Sequence, residues 1–201
     1  MKKGVKTLVI ILVIVIAIFG VVKFFAGTYN TMVGMEEGVL SQWAQVENQY
    51  QRRLDLVPNL VATVKGFASH ESEVFTQVAE ARSQAGGVME LSSNVIDDPE
   101  ALAKFQQAQN SLGGALQRLL SVTENYPQLQ ANQNFMALQD ELEGTENRIA
   151  TERMRFNETV QEYNKYIRKF PNNIIANMNG FEKKAYFTST DEAKTAPKVE
   201  F

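Results

Sequence analysis

The chain has 201 residues, no cysteine and a formal net charge of −3. Four of its 20 Lys and Arg precede residue 24, whereas all 23 acids follow it, so residues 24–201 carry 16 basic against 23 acidic side chains. This negative charge argues against nucleic acid and against anionic lipid headgroups as partners, since both bind basic surfaces. The lack of cysteine excludes disulfide bonds and thiolate metal sites.

An apolar run near the N-terminus predicts a membrane-spanning helix. The run from Thr7 to Val22 contains no charged residue. At about 1.5 Å per residue it covers roughly 24 Å of a hydrocarbon core of about 30 Å, and extension to Ala26 adds the remaining turn. We expect residues 7–26 to contact the lipid bilayer, with anchor positions that include Thr7, Leu12, Ile16, Val22 and Lys23.

A cleaved signal peptide is the alternative interpretation of this run. Signal peptides have a shorter apolar region of about 7–15 residues and a small residue at the cleavage site, where this chain has Phe24. Lys2, Lys3 and Lys6 precede the run and only Lys23 follows it. The positive-inside rule therefore predicts a single-pass membrane protein with a cytoplasmic N-terminus and the remaining chain outside the cytoplasm.

Four stripes of apolar residues at helical spacing follow the anchor. They contain Val39, Trp43, Val46, Tyr50, Leu54 and Val57; then Leu60, Val64, Phe67, Val74 and Val78; then Leu102, Phe105, Leu112, Leu116 and Leu119; and finally Leu142, Ile149, Phe156, Tyr163 and Phe170. The last set repeats every seven residues, as in bundles and coiled coils. We predict an all-α fold, in which the transmembrane helix precedes an antiparallel four-helix bundle.

Local signals predict where these helices begin and end. Asp55 and Pro58 predict a corner between two helices, and the alternative is that Pro58 only kinks one long helix. Gly86-Gly87 opens the longest connection, residues 86–98, and Asp98-Pro99-Glu100 predicts a helix start. The expected division is an anchor at 1–27, one helical domain at 28–187, and a disordered tail at 188–201.

Three blocks of sequence resemble the LemA family of bacterial membrane-anchored proteins. The first runs from Glu47 as E-N-Q-Y-Q-R-R-L-D-L-V-P-N-L-V-A-T-V-K-G-F-A-S-H-E, the second covers Leu138 to Ala150, and the third lies between Asn157 and Phe187. Phe67 stands where the family often has Tyr. The resemblance extends from about Tyr29 to Phe187. It implies a membrane helix followed by an antiparallel helical bundle, and it implies no chemistry, because the family has no established biochemical activity.

Charged and polar residues of the first block are candidates for interaction with a partner. They are Arg52, Arg53, Asp55, Asn59, Lys65, His70 and Glu71. The structural interpretation is that the first three cap and pair around the Pro58 corner. The functional interpretation is a partner contact at one end of the bundle.

The chain offers no pattern typical of a metal, cofactor or catalytic site. A di-metal bundle needs Glu-x-x-His from two helices, but His70 is the one histidine and Phe67 lies three residues before it. A role of His70 as a ligand or in proton transfer is the less favoured alternative to a surface position. The charged stretch from Glu141 to Arg155 is interpreted as a solvated helix face with pairs such as Glu152 and Arg155. We expect no cofactor and no enzymatic activity.

Two functional hypotheses follow. In the first, a non-enzymatic membrane protein presents its helical bundle for protein–protein interaction or self-assembly at the bacterial envelope, so that the partner is a second copy or another envelope protein. In the second, the bundle is a membrane-tethered sensor that binds a small molecule in its core, with Glu36 and Gln109 lining the cavity. The same polar residues could instead fix the register of the helices.

Overall fold

A computed structural model describes residues 3–90 and 95–188 of the chain. Within these residues the secondary structure is helical, without a strand, which confirms the predicted all-α class. The predicted tail lies outside the described residues except for Thr188. The helices are α1 (Lys3–Lys65), α2 (Ser72–Glu90), α3 (Pro99–Thr123), α4 (Pro127–Gln130), α5 (Gln133–Arg168) and α6 (Asn172–Asn179).

Helix α1 combines the predicted anchor with the first helix of the folded domain. Its apolar part is long enough to cross a membrane. The large apolar side chains from Leu8 to Phe25 are between 40% and 69% exposed, so no protein core covers them. Such a helix, apolar on every side and unburied by protein, has the surface that a lipid environment requires.

The predicted corner at Asp55–Pro58 is wrong, because α1 continues through Pro58 to Lys65. A proline inside a helix leaves the carbonyl four residues earlier without its N–H donor. Here Arg82 of α2 donates to that carbonyl, the backbone oxygen of Leu54, at 3.1 Å. Tertiary packing therefore compensates for the proline, and the chain first leaves the helix in residues 66–71.

The long helices pack in two antiparallel pairs, α1 with α5 and α2 with α3. In the first pair Gln42 contacts Glu152 and Arg52 contacts Glu141, so residue numbers rise on α1 as they fall on α5. In the second pair Arg118 of α3 donates to Gln77 of α2. An extended segment, residues 181–188, then returns along α5.

The buried apolar residues form two clusters along the length of the domain. The anchor-proximal cluster includes Met32, Trp43, Tyr50, Phe105, Phe156, Tyr163 and Phe187, and the distal cluster includes Leu54, Leu60, Val64, Leu112, Leu119, Phe135 and Leu142. The first stripe and most of the others are buried as predicted. Trp43 lies at the centre of an aromatic group, with ring centroids 5.3 Å from Phe105, 5.4 Å from Phe156 and 5.8 Å from Phe187.

Three local predictions fail. Two concern residues just after the ends of α5 and α1, and the third concerns α2, which continues past its expected end. Phe170 is 82% exposed because α5 ends at Arg168, which takes the seven-residue repeat out of register with the core. Phe67 is 40% exposed in the turn after α1, although it was predicted as core. Gly86 and Gly87 lie inside α2 and do not open the connection.

The predicted start of α3 is confirmed. The Asp98 carboxylate accepts a hydrogen bond of 2.8 Å from the backbone N–H of Glu100, and Pro99 occupies the first turn. This is the geometry of an N-cap, which satisfies one of the N–H groups that a helix start leaves free.

Candidate functional site

Arg53 is a buried charge at the junction of the two apolar clusters. Its side chain is 4% exposed. One guanidinium nitrogen, Nη1, lies 3.0 and 3.2 Å from the two carboxylate oxygens of Glu146 on α5. The other, Nη2, donates to the backbone and side-chain oxygens of Gln109 on α3 at 3.0 and 2.5 Å. Arg53 therefore joins α1, α3 and α5 through one planar group.

The environment of Arg53 explains why this charge can be buried. Tyr50 places its ring 5.1 Å from the guanidinium carbon, an arrangement that favours a cation. Gln109 is 1% exposed, and its side-chain oxygen is turned towards the arginine. Burying an unpaired guanidinium would cost several kcal/mol, so these contacts make the site possible.

An open groove lies beside this polar site, between α3 and α5. The part next to Arg53 is a cavity of about 380 Å³ bordered by Gly113, Leu116, Gln117, Leu120, Gln139, Leu142, Glu143 and Glu146. A second depression of about 630 Å³ continues it towards α4 and shares Gln117, Leu120 and Gln139 with the first. Glu146 thus contacts Arg53 on one side and borders the groove on the other.

The groove has an apolar floor and an acidic rim. Leu116, Leu142 and Phe135 lie almost fully buried beneath it, and Leu120 and Met136, which is 44% exposed, supply the accessible apolar surface. The charged residues that line the two depressions are all acidic, namely Glu124, Asp140, Glu143 and Glu146. An apolar trough between two helices fits the apolar face of a further helix, and an acidic rim attracts basic side chains.

A second polar site holds the extended segment 181–188 on α5. The Asn164 side-chain amide donates to the backbone oxygen of Lys184 at 2.9 Å and accepts from its backbone N–H at 3.0 Å. Asn157, two helical turns earlier, makes the same pair of bonds with Phe187 at 3.0 and 2.9 Å. The two amides satisfy the backbone of the segment as a neighbouring strand would.

Lys184 connects this segment to α1 and to the residues before α3. Its Nζ lies 2.8 Å from a Glu36 oxygen and 2.7 Å from an Asp97 oxygen, with the lysine side chain 9% exposed. Burial lowers the pKa of Lys184, but the hydrogen bonds to Asp97 and Glu36 outweigh this effect and raise it overall. Burial, followed by the charge of Glu36, raises the pKa of the neighbouring Tyr163 to about 12.

The predicted interaction residues do not converge on one site. Arg52 forms an exposed ion pair with Glu141 at 2.8 Å, and Asp55 accepts from Gln51 on the same helix at 2.7 Å. Asn59, Lys65 and His70 are exposed near the end of α1 that is far from the anchor. Only Arg53 enters the buried site, and only Glu71 contacts the turn after α3, through a 3.4 Å bond from the Tyr126 hydroxyl.

The sequence analysis identified some residues of both polar sites but did not predict their contacts. Of the two interpretations of Glu36 and Gln109, the lining of a ligand cavity and the fixing of helix register, the contacts favour the second, because Glu36 pairs with Lys184 and Gln109 binds Arg53. The predicted Glu152–Arg155 pair is present at 2.8 Å. Asn157 and Asn164 carried a usable signal, because they are seven residues apart and each follows a core aromatic of the fourth stripe.

Comparison with known proteins gives a consistent match. The model of the LemA family matches residues 42–201. Magnetosome protein MamQ 2 and magnetosome protein MamQ 1 of Paramagnetospirillum magneticum are each 30% identical over 195 residues, which cover 86% of this chain and 70% of the relative. Magnetosome protein MamQ of Magnetospirillum gryphiswaldense is 27% identical over 198 residues, covering 88% of this chain and 71% of that protein.

Proposed function

We propose that this chain, which belongs to the LemA family, is a non-enzymatic membrane protein that holds a helical docking surface next to the bilayer. The four long helices would form one antiparallel bundle, with α1 continuing directly from the membrane. The observation that carries the proposal is the groove between α3 and α5, which has an apolar floor, an acidic rim and no segment of the described chain in it.

The N-terminal anchor supports a location at the bacterial cytoplasmic membrane. The relatives are named as magnetosome proteins, and the exposed apolar part of α1 is suited to lipid. The three lysines before this part favour a cytoplasmic N-terminus and an extracytoplasmic bundle. Protease access to a C-terminal tag tests this topology. Cleavage from the outer side of the membrane would support it, and protection until the membrane is dissolved would contradict it.

The chemistry of the groove supports one kind of partner. We expect a helix with one apolar face and basic flanking residues, because the groove offers Leu120 and Met136 between carboxylates. This partner belongs to another membrane or envelope protein, and it is brought to the groove by the shared membrane, which raises its local concentration. Self-assembly through the same groove is the competing outcome.

Site-specific cross-linking in cells tests the groove directly. A photo-reactive residue at Gln117 or Gln139, both exposed on the groove, is expected to give one specific adduct. The same residue at Thr76, exposed on α2, is the control. An adduct with the mass of two copies of this chain would indicate self-assembly, and adducts equal to those at Thr76 would contradict the docking role.

Charge reversal tests whether the acidic rim selects the partner. Asp140→Lys combined with Glu143→Lys is expected to abolish the adduct at Gln117 while the fold is retained, since both positions are exposed. Glu73→Lys combined with Glu80→Lys makes the same change of charge on α2, away from the groove. If both double variants reduce the adduct equally, the effect comes from net charge and the rim has no specific role.

A further inference from the structure

Helix α6 presents an apolar surface that no described part of the protein covers. Ile175 and Ala176 are buried on its inner side, at 1% exposure each, whereas Ile174 is 46% and Met178 72% exposed. Ile174 and Met178 are four residues apart and therefore lie on the same face of the helix. Phe170, four residues before Ile174, is 82% exposed. Three large apolar side chains thus point away from the core at one end of the domain.

This end of the domain is the one that adjoins the membrane anchor. Helix α6 packs on α1 and α5. Phe181, directly after α6, contacts Tyr29 of α1 edge to face, with ring centroids 5.6 Å apart. Tyr29 follows Ala26, the end of the predicted span, by three residues, which is roughly 4.5 Å along a helix. The interfacial layer of a bilayer is about 5–8 Å thick on each side, so Tyr29 and its contact Phe181 lie at its depth.

The charges around α6 suit the same location. Lys165 and Arg168 lie in the last turn of α5 and Lys169 follows it, all exposed. Lys183, which follows α6, is exposed as well, and the exposed acids nearby are Glu162 on α5 and Glu182 beside Lys183, so basic side chains outnumber acidic ones here. Although residues 24–201 are acidic as a whole, the fold therefore collects basic side chains beside α6, where lipid phosphates would lie.

We propose that Phe170, Ile174 and Met178 insert into the interface of the bilayer that holds the anchor, so that the domain has a second membrane contact. An amphipathic helix with large apolar side chains and flanking basic residues binds in this plane. The contact fixes the tilt of the domain relative to the membrane and keeps the groove between α3 and α5 at a defined height. The inference rests on the proposed role of α1 as a membrane anchor.

Depth-dependent quenching in the full-length protein tests this contact. Since the chain has no cysteine, single substitutions Phe170→Cys, Ile174→Cys and Met178→Cys each introduce one labelling site. Each variant is labelled with a fluorophore and reconstituted into vesicles of phosphatidylcholine and phosphatidylglycerol that contain nitroxide-bearing lipids. We expect loss of fluorescence at all three positions, strongest with the nitroxide close to the headgroup.

Two further labels separate this inference from the anchor role. Val22→Cys lies in the span and reports on the anchor, and Met154→Cys, on a residue 57% exposed on α5, is the control far from the membrane. Quenching at Val22 without quenching at positions 170, 174 and 178 would overturn the inference and leave the anchor in place. No quenching at Val22 would reject the anchor itself. If the label at position 178 is shielded from water but is not quenched by lipid nitroxides, a protein partner covers this position. That result would also overturn the inference.

Discussion

Arg82 donates a hydrogen bond from its Nε to the backbone oxygen of Leu54, at 3.1 Å. This oxygen is four residues before Pro58 and is the acceptor that the proline cannot serve. Leu54 is 4% exposed, so water has little access to this part of the backbone. The proline and the arginine therefore form a compensating pair across α1 and α2.

We expect Arg82→Ala to lower the free energy of unfolding by about 1–3 kcal/mol, because it leaves a buried carbonyl without a donor. Pro58→Ala restores the N–H inside α1 and should make the loss of Arg82 much less costly. Urea unfolding of the full-length protein in mild detergent, followed by Trp43 fluorescence, measures both variants and the double variant.

Arg118→Ala is the control for this cycle, since Arg118 donates to Gln77 at 3.0 Å in an exposed pair on α3 and α2. Its cost should stay below about 1 kcal/mol. If Arg82→Ala costs the same with Pro58 in place as it does in the Pro58→Ala variant, the arginine does not act through the proline.

The two neighbouring arginines of α1 should differ strongly in their contribution to stability. Arg53→Met removes a guanidinium that satisfies Gln109 and Glu146, and we expect a loss of about 3 kcal/mol. Arg52→Ala removes an arginine whose side chain is 51% exposed and should cost less than about 1 kcal/mol. The same unfolding measurement compares them, and similar losses would contradict the structural role of Arg53.

Arg53→Lys distinguishes charge from geometry at this position. Lysine keeps the positive charge but cannot reach Glu146 and both Gln109 oxygens with one planar group. We expect a stability between those of the original protein and Arg53→Met. Full stability of the lysine variant would mean that charge alone is sufficient there.

Alkaline pH should destabilise the anchor-proximal cluster. The pKa of Tyr163 is raised from 10.0 to about 12, so the folded state holds this proton while the unfolded chain loses it. The stability is therefore present below pH 10 and is lost as the pH rises from about 10 to about 12. The raised pKa of Lys184 acts in the same direction, above its ordinary value of 10.5.

Tyr163→Phe removes this contribution without removing the ring. We expect its unfolding free energy to fall less steeply than that of the original protein across the same pH range, as followed by urea unfolding at each pH. The tyrosinate absorbance of the folded protein should also change less at pH 12 after the substitution. Identical pH profiles would contradict the assignment to Tyr163.

The two asparagines of α5 should protect different backbone amides. The N–H of Lys184 donates to Asn164 and the N–H of Phe187 donates to Asn157. Asn164→Ala should therefore increase hydrogen exchange at Lys184 more than at Phe187, and Asn157→Ala should do the reverse. Each variant is the matched control for the other. Equal effects at both amides would mean that the segment opens as a single unit.

Local signals were sufficient for several parts of the fold. The positions from Val39 to Val57 are buried as their spacing predicts, and Asp98 caps α3 through a contact only two residues away. These features depend on helical periodicity and on neighbours in sequence, which can be read without knowing the packing. The same approach failed at Phe170, since the end of α5 decides whether a seven-residue repeat still faces the core.

The candidate site depended on contacts that are distant in sequence. Arg53 meets Gln109 and Glu146, which follow it by 56 and 93 residues. From the sequence alone, Arg53 and Arg52 have the same chemistry, and nothing local indicates that one is buried and the other exposed. The groove likewise exists only because α3 packs on α2 and α5 packs on α1.

The sequence by itself determined the apolar anchor, the helical class and the family, because these follow from composition, periodicity and contiguous motifs, respectively. Only the tertiary structure decided that Pro58 stays inside α1, that Arg53 is buried, and that α6 exposes its apolar face beside the anchor. These outcomes depend on which side chain is available to satisfy or cover another across the fold. Arg82 at the carbonyl of Leu54 is one such case, since no spacing in the chain predicts that contact.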